Sequence, residues 1–172
     1  MTGRLVIHNR QRTRKIDRPV LRRVVRALLE EQIGLAHYEL GIHLVAAPEM
    51  ARINQRYLGH EGSTDVITFD HNEPEDASPL SQRERVGVRE NLLHGELFVC
   101  VDDAVLQARQ FKTTWQAEIV RYIVHGVLHL RGHDDLKAAR RRVMKREENR
   151  LVRELTQRFA LSAVTRPRKL AA

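Results

Sequence analysis

Apolar side chains recur at two spacings along this chain, and the changes between them mark its elements. Residues 4–8 are a short apolar run and predict an edge strand. Asp17 stands where an N-cap would, Pro19 falls in the first turn, and Val20, Leu21, Val24, Val25, Leu28 and Leu29 follow at helical spacing until Gly34, with Arg22, Arg23 and Arg26 outside. Residues 39–47 alternate as a strand, with Leu40, Ile42, Leu44 and Ala46 on one face and Gly41, His43 and Val45 on the other. Pro48 opens a helix through about Tyr57, on the stripe Met50, Ile53 and Tyr57, and Gly59 closes it. Val66 to Phe69 and residues 95–101 are β-branched or aromatic runs, and Asp102 and Asp103 offer a cap for a helix to Phe111.

The second half is helical. Thr113 and Gln116 have capping-box spacing, and Trp115, Ile119, Tyr122, Ile123, Val127 and Leu130 continue one apolar surface to Gly132, predicting a largely buried helix. A last helix over 136–159 turns Val143, Leu151, Leu155 and Phe159 inward and Arg140, Arg141, Arg142, Lys145 and Arg146 outward. Residues 71–91 combine two prolines with charges of both signs, which predicts a flexible loop insertion. The order of strands and helices predicts an α+β fold, a small mixed β-sheet packed against helices with a buried helix at its centre. A single domain over 1–160 and a basic, disordered tail over 161–172 complete the expectation.

Composition narrows the partners. The 172 residues hold 30 Lys plus Arg against 22 Asp plus Glu, a net charge of +8, and few aromatics. A polyanion contacted mainly through its phosphates fits that balance better than base stacking. Cys100 is the only cysteine, so no internal disulfide is expected, and no apolar run approaches a membrane span or a signal-peptide core. A cytoplasmic protein without a membrane partner is the resulting expectation.

Three of the nine histidines fall in the stretch His125-Gly-Val-Leu-His129-Leu-Arg-Gly132-His133-Asp134-Asp135. Four residues apart on a helix, His125 and His129 project from one face, where two imidazoles can grip one metal ion. Gly132 permits the chain to turn back, which brings Asp135 within reach as third ligand and leaves a fourth position open. His133 ranks second for that place and Asp134 third. The offsets 0, 4 and 10 with glycine at 7 resemble the metzincin zinc motif, but Gly126 stands where that motif carries its glutamate base, which disfavours a metallopeptidase. Zn2+ is the expected ion, and two imidazoles with a carboxylate also admit iron or manganese.

The stretch HGVLHLRGHDD, with residues 54–70 (NQRYLGHEGSTDVITFD) and 94–102 (HGELFVCVD), resembles the YbeY family of metal-dependent endoribonucleases over about positions 36–155. The resemblance implies an α+β fold and action on single-stranded RNA, including maturation of the 3′ end of small-subunit ribosomal RNA and ribosome quality control. It implies His125 and His129 as zinc ligands and puts Asp135 where the family has its third histidine. It also implies an arginine at position 58, where this chain has Leu58, and an aspartate at 96, where it has Glu96.

Phosphodiester hydrolysis needs a base and phosphate-binding cations as well as the ion. Glu96 is a candidate base if its strand lies beside the metal-binding helix, with Glu61 and Asp65 as rivals, and His133 is a candidate proton donor. Arg131 and Arg56 are the candidate substrate-binding residues, with Arg52 and residues 140–142 as further cations. A noncatalytic RNA- or ribosome-binding assembly factor with a structural metal is the alternative reading.

Overall fold

The structure, a computed structural model, describes residues 2–72 and 92–165. The loop expected at 71–91 therefore lies outside the described residues except for His71 and Asn72. Four strands form one mixed sheet: β1 (Thr2–Asn9), β2 (His37–Val45), β3 (Val66–Asp70) and β4 (Leu92–Cys100). Their spatial order is β1-β2-β4-β3, with β1, β2 and β4 parallel and β3 antiparallel at the far edge. The helices are α1 (Arg18–Arg26), α2 (Ala47–Leu58), α3 (Val101–Phe111), α4 (Trp115–Leu130) and α5 (Ala138–Arg158). This is the mixed sheet and helical layer that the sequence predicts.

Strand alternation gives the sheet two unlike faces. Leu5, Ile7, Leu40, Ile42, Leu44, Leu93, Leu97 and Val99 point into the main core, which α1, α4 and α5 complete. Arg4, His8, Glu39, His43, His94 and Glu96 stand on the other face, where they are exposed or half-buried. Among the described residues only one end of that face is covered, by α2, through a small cluster of Val45, Met50, Ile67 and Cys100.

α4 is the centre of the fold, with ten of its sixteen residues buried, His125 and His129 not among them. It lies so close to β4 that a Cβ on Gly126 would stand 2.7 Å from a Leu97 methyl. Glycine at 126 is thus a packing requirement, whatever it also denies a catalytic glutamate. The helix starts at a different threonine from the one expected. Thr114 Oγ1 accepts the Ala117 amide at 3.2 Å, a cap that contributes roughly 1 kcal/mol, while Thr113 donates to the buried Glu118 at 2.5 Å.

Other expectations change for reasons that only packing supplies. The first helix widens into a π-helical turn at Ala27–Gln32, where Ala27, Leu28 and Leu29 are all buried in succession. Asp102 does not cap α3. Its carboxylate accepts from Thr13 Oγ1 at 2.5 Å and from the Ala47 amide at 2.6 Å, joining the segment after β1 to the start of α2. On α5 it is Met144, not Val143, that turns inward. Nor does the tail begin at 161. Leu161–Val164 make a 3-10 turn whose two apolar ends, three residues apart, fall on one side and are buried, and Thr165 bridges Ile16. Among the described residues no helix is long and apolar enough to cross a membrane.

Candidate metal centre

The end of α4 sets the geometry. Gly132 takes φ +87°, its amide donates to His129 O at 2.8 Å, and the His133 amide donates to Leu128 O at 3.0 Å. This paired closure is the Schellman turn that a glycine after the helix allows. It swings the chain back so that the carbonyl of His133 lies 3.1 Å from His129 Nδ1, and it carries Asp135 over the helix end.

His125 is tied from behind as well, its Nδ1 lying 2.9 Å from Glu148 Oε2 on α5. A carbonyl and a carboxylate only accept, so both Nδ1 atoms are donors, and in the neutral rings both Nε2 atoms present lone pairs. Those two Nε2 atoms are 3.0 Å apart, and Asp135 Oδ2 is 4.0 Å from one and 3.9 Å from the other. Three electron-rich atoms facing one another repel unless a proton or a metal cation stands between them. A point about 2.1 Å from each lies inside the triangle they form, which matches the reach of zinc to nitrogen and oxygen ligands. The donor set therefore fits a divalent ion, and among the described residues it is the one cluster of this kind.

Charge around the cluster is arranged by α5. Burial pushes the Glu148 carboxyl up, but hydrogen bonds from His125, Lys145 and Arg121 outweigh it and hold the group down to about 2. The same hydrogen bond raises His125 above the ordinary imidazole value, against its burial. His125 and Asp135 border a cleft of about 360 Å³, whose wall includes Asp65, Tyr122, Arg141 and Lys145. Asp65 Oδ1 accepts from the Val66 amide at 2.9 Å and from Thr64 Oγ1 at 3.1 Å.

The remaining residues singled out from the sequence lie elsewhere. Glu96 is on the opposite face of the sheet, because its neighbours Gly95 and Leu97 take the positions under α4, and His43 and His71 hold its carboxylate at 2.9 and 3.2 Å. The strand does lie beside the helix, but with its other side. Arg56 is on α2, over the Tyr57 ring at 5.5 Å, and Tyr57 in turn packs on Phe69 of the far face. Arg131 caps α4 without lining the cleft, and the His133 ring stays off the cleft wall while burial lowers its pKa. Asp134 is turned away by the Leu136 amide at 2.7 Å and Arg140 at 3.0 Å.

Glu148 and Arg121 are the additions that the sequence reading missed. One signal was present: Glu148 interrupts the stripe Met144, Leu151, Val152 and Leu155, a lone carboxylate on a buried helix face.

Comparison with known proteins converges on one family. A family model described as Endoribonuclease YbeY matches residues 6–156. A protein of that name from Salinibacter ruber is 32% identical over 145 residues, covering 84% of this chain and 87% of the relative. Another from Chlorobium luteolum is 34% identical over 148 residues, covering 86% and 95%. The solution structure of a Thermotoga maritima protein shares the fold, with a TM-score of 0.57 at 24% identity over 88% of each chain.

Proposed function

This chain belongs to the YbeY family of endoribonucleases, and on that footing we propose that it cuts single-stranded RNA with a zinc ion held by His125, His129 and Asp135. The biological substrate in this reading is ribosomal RNA of the small subunit, at the 3′ end of the 16S molecule, with ribosome quality control as the wider setting. The observation that carries it is the convergence of two Nε2 atoms and one carboxylate oxygen beside a cleft bordered by cations.

Held by His125, His129 and Asp135, a divalent ion would supply Lewis acidity toward a phosphoryl oxygen and ease deprotonation of the attacking hydroxyl at neutral pH. The chain's own residues do the rest. Arg141 and Lys145 receive the phosphate on the cleft wall, and Asp65, facing the same cleft, takes the proton of the attacking hydroxyl as its oxygen bonds to phosphorus. The bond from phosphorus to the leaving oxygen breaks, and that oxygen takes a proton from solvent water. Asp65 replaces Glu96 in this role, since the sheet separates Glu96 from the cluster. His133 acts through its main-chain carbonyl, by holding His129. Arg131 and Arg56 lie off the cleft wall and are not needed at the reacting phosphate.

Incubation of purified protein with an unpaired RNA oligonucleotide tests the proposal. Cleavage that disappears with chelator, returns with Zn2+ and is absent in His129→Ala is the expected result, and cleavage indifferent to both overturns it. The second reading, an assembly factor that binds RNA without cutting it, draws on Leu58, which is exposed where the family resemblance implies arginine. RNA binding retained in a His125→Ala/His129→Ala double variant, with no cleavage by the unaltered chain, selects that reading.

A further inference from the structure

Glu148 divides its two oxygens between two tasks. Oε2 accepts from His125 Nδ1 at 2.9 Å, while Oε1 accepts from Arg121 at 2.5 Å and from Lys145 at 2.9 Å. Its side chain is only 3% exposed, whereas those of Arg121 and Lys145 are 30% and 60% exposed and both line the cleft that His125 and Asp135 border. A carboxylate placed this deep with three charge-assisted partners is fully engaged, and each partner is fixed in orientation by it.

We propose that Glu148 is a positioning residue that couples the metal grip to the phosphate grip, orienting His125 with one oxygen and Arg121 and Lys145 with the other. The proposal rests on the endoribonuclease reading for its phosphate half and on the geometry of the imidazoles for its metal half. An imidazole held by a carboxylate at Nδ1 presents Nε2 in one tautomer and one ring orientation, and it is a better donor for that reason. The two cations, held from behind, keep their remaining N–H groups turned toward the cleft without first having to be ordered by the substrate. A glutamine at 148 cannot serve both sides. Its amide has one oxygen and one NH2, so the NH2 meets either the His125 N–H or the two cations.

Zinc affinity, measured by competition with a chromophoric chelator, is to be read beside KM and kcat on a short unpaired RNA. Glu148→Gln is expected to weaken zinc binding by about ten- to a hundredfold and to raise KM. At saturating zinc its kcat recovers while its KM stays high, a split that a merely structural defect does not produce. Arg121→Met and Lys145→Met are each expected to raise KM several-fold and to leave zinc affinity within about twofold. Zinc affinity of Glu148→Gln within twofold of the unaltered chain overturns the proposal, as does a loss in Arg121→Met equal to that in Glu148→Gln. If Glu148→Gln does not fold, as judged by near-ultraviolet circular dichroism, the two cation variants decide. A raised KM with intact zinc binding upholds the coupling, and an unchanged KM removes it. Failure of the endoribonuclease reading shows in the unaltered chain alone, as zinc binding without cleavage, and so is told apart from failure of the variants.

Discussion

On each side of the sheet two histidines gather around one carboxylate, and the two groups behave as opposites. On the open face Glu96 sits between His43 and His71 and gives one oxygen to each, so the acid is the hub and the rings point at it. On the α4 side the rings point at one another, with Asp135 about 4 Å away and the acceptors Glu148 and His133 O behind them. Residue types do not distinguish these arrangements. What distinguishes them is which nitrogen is occupied. A neutral ring bound at Nδ1 by a fixed acceptor offers its Nε2 lone pair forward, whereas a ring whose Nε2 donates to a neighbouring carboxylate keeps its lone pair at Nδ1, which in His43 is buried away from that carboxylate.

The sharpest test of that contrast exchanges alanine for one ring on each face. His129→Ala is expected to abolish stoichiometric zinc binding and to lower kcat/KM on unpaired RNA on the order of a thousandfold. His43→Ala is expected to leave both intact and to cost about 1 kcal/mol in urea denaturation through the stack it makes with His8 and Phe98. Equal loss of zinc in the two would erase the distinction.

The next largest difference lies between the carboxylates offered as base. Asp65→Asn should lower kcat by about a hundredfold with little change in zinc affinity, and Glu96→Gln should stay within about threefold of the unaltered chain. A Glu96→Gln protein as inactive as Asp65→Asn would mean that the open face takes part in chemistry. Among the acids after Gly132, Asp135→Ala should weaken zinc by about ten- to a hundredfold, and Asp134→Ala by less than about twofold. Atomic absorption of dialysed protein reads both.

The smallest effect is on the pH dependence of folding. The hydrogen bond from His43 leads the causes that hold Glu96 below its ordinary 4.5. For a carboxylate depressed in the folded state, the added stability is complete above the unfolded value and is lost as pH falls through the folded one. Glu96→Gln should therefore flatten the acid limb of stability below about pH 4.5, by well under 1 kcal/mol because the side chain is 39% exposed. Denaturant midpoints measured at pH 3 and pH 6 give the comparison.

Much of the α4 side was legible beforehand because it is local. The four-residue spacing of His125 and His129, the glycine turn and the arrival of Asp135 all lie within eleven consecutive positions and need only helix geometry. Glu148 was not legible in the same way, since it reaches His125 across the contact between two helices and lies 23 residues away. Asp65 was readable as an acid in a loop but not as a wall of this cleft. The misplacement of Glu96 has a different cause. Strand alternation already put it opposite Gly95 and Leu97, but which side α4 occupies follows from the depth of Gly126 against Leu97, a fact of packing. The π-helical turn and the ordered 3-10 turn at 161–164 likewise follow from what neighbouring segments bury.

His129 is steadied by a main-chain oxygen, so nothing about the side chain at 133 is required for that task. The identity of that residue is free to drift, whereas the number of peptide units between the second imidazole and the turn is not. Lengthening the chain by one unit there would keep every ligand residue and still turn the second ring loose.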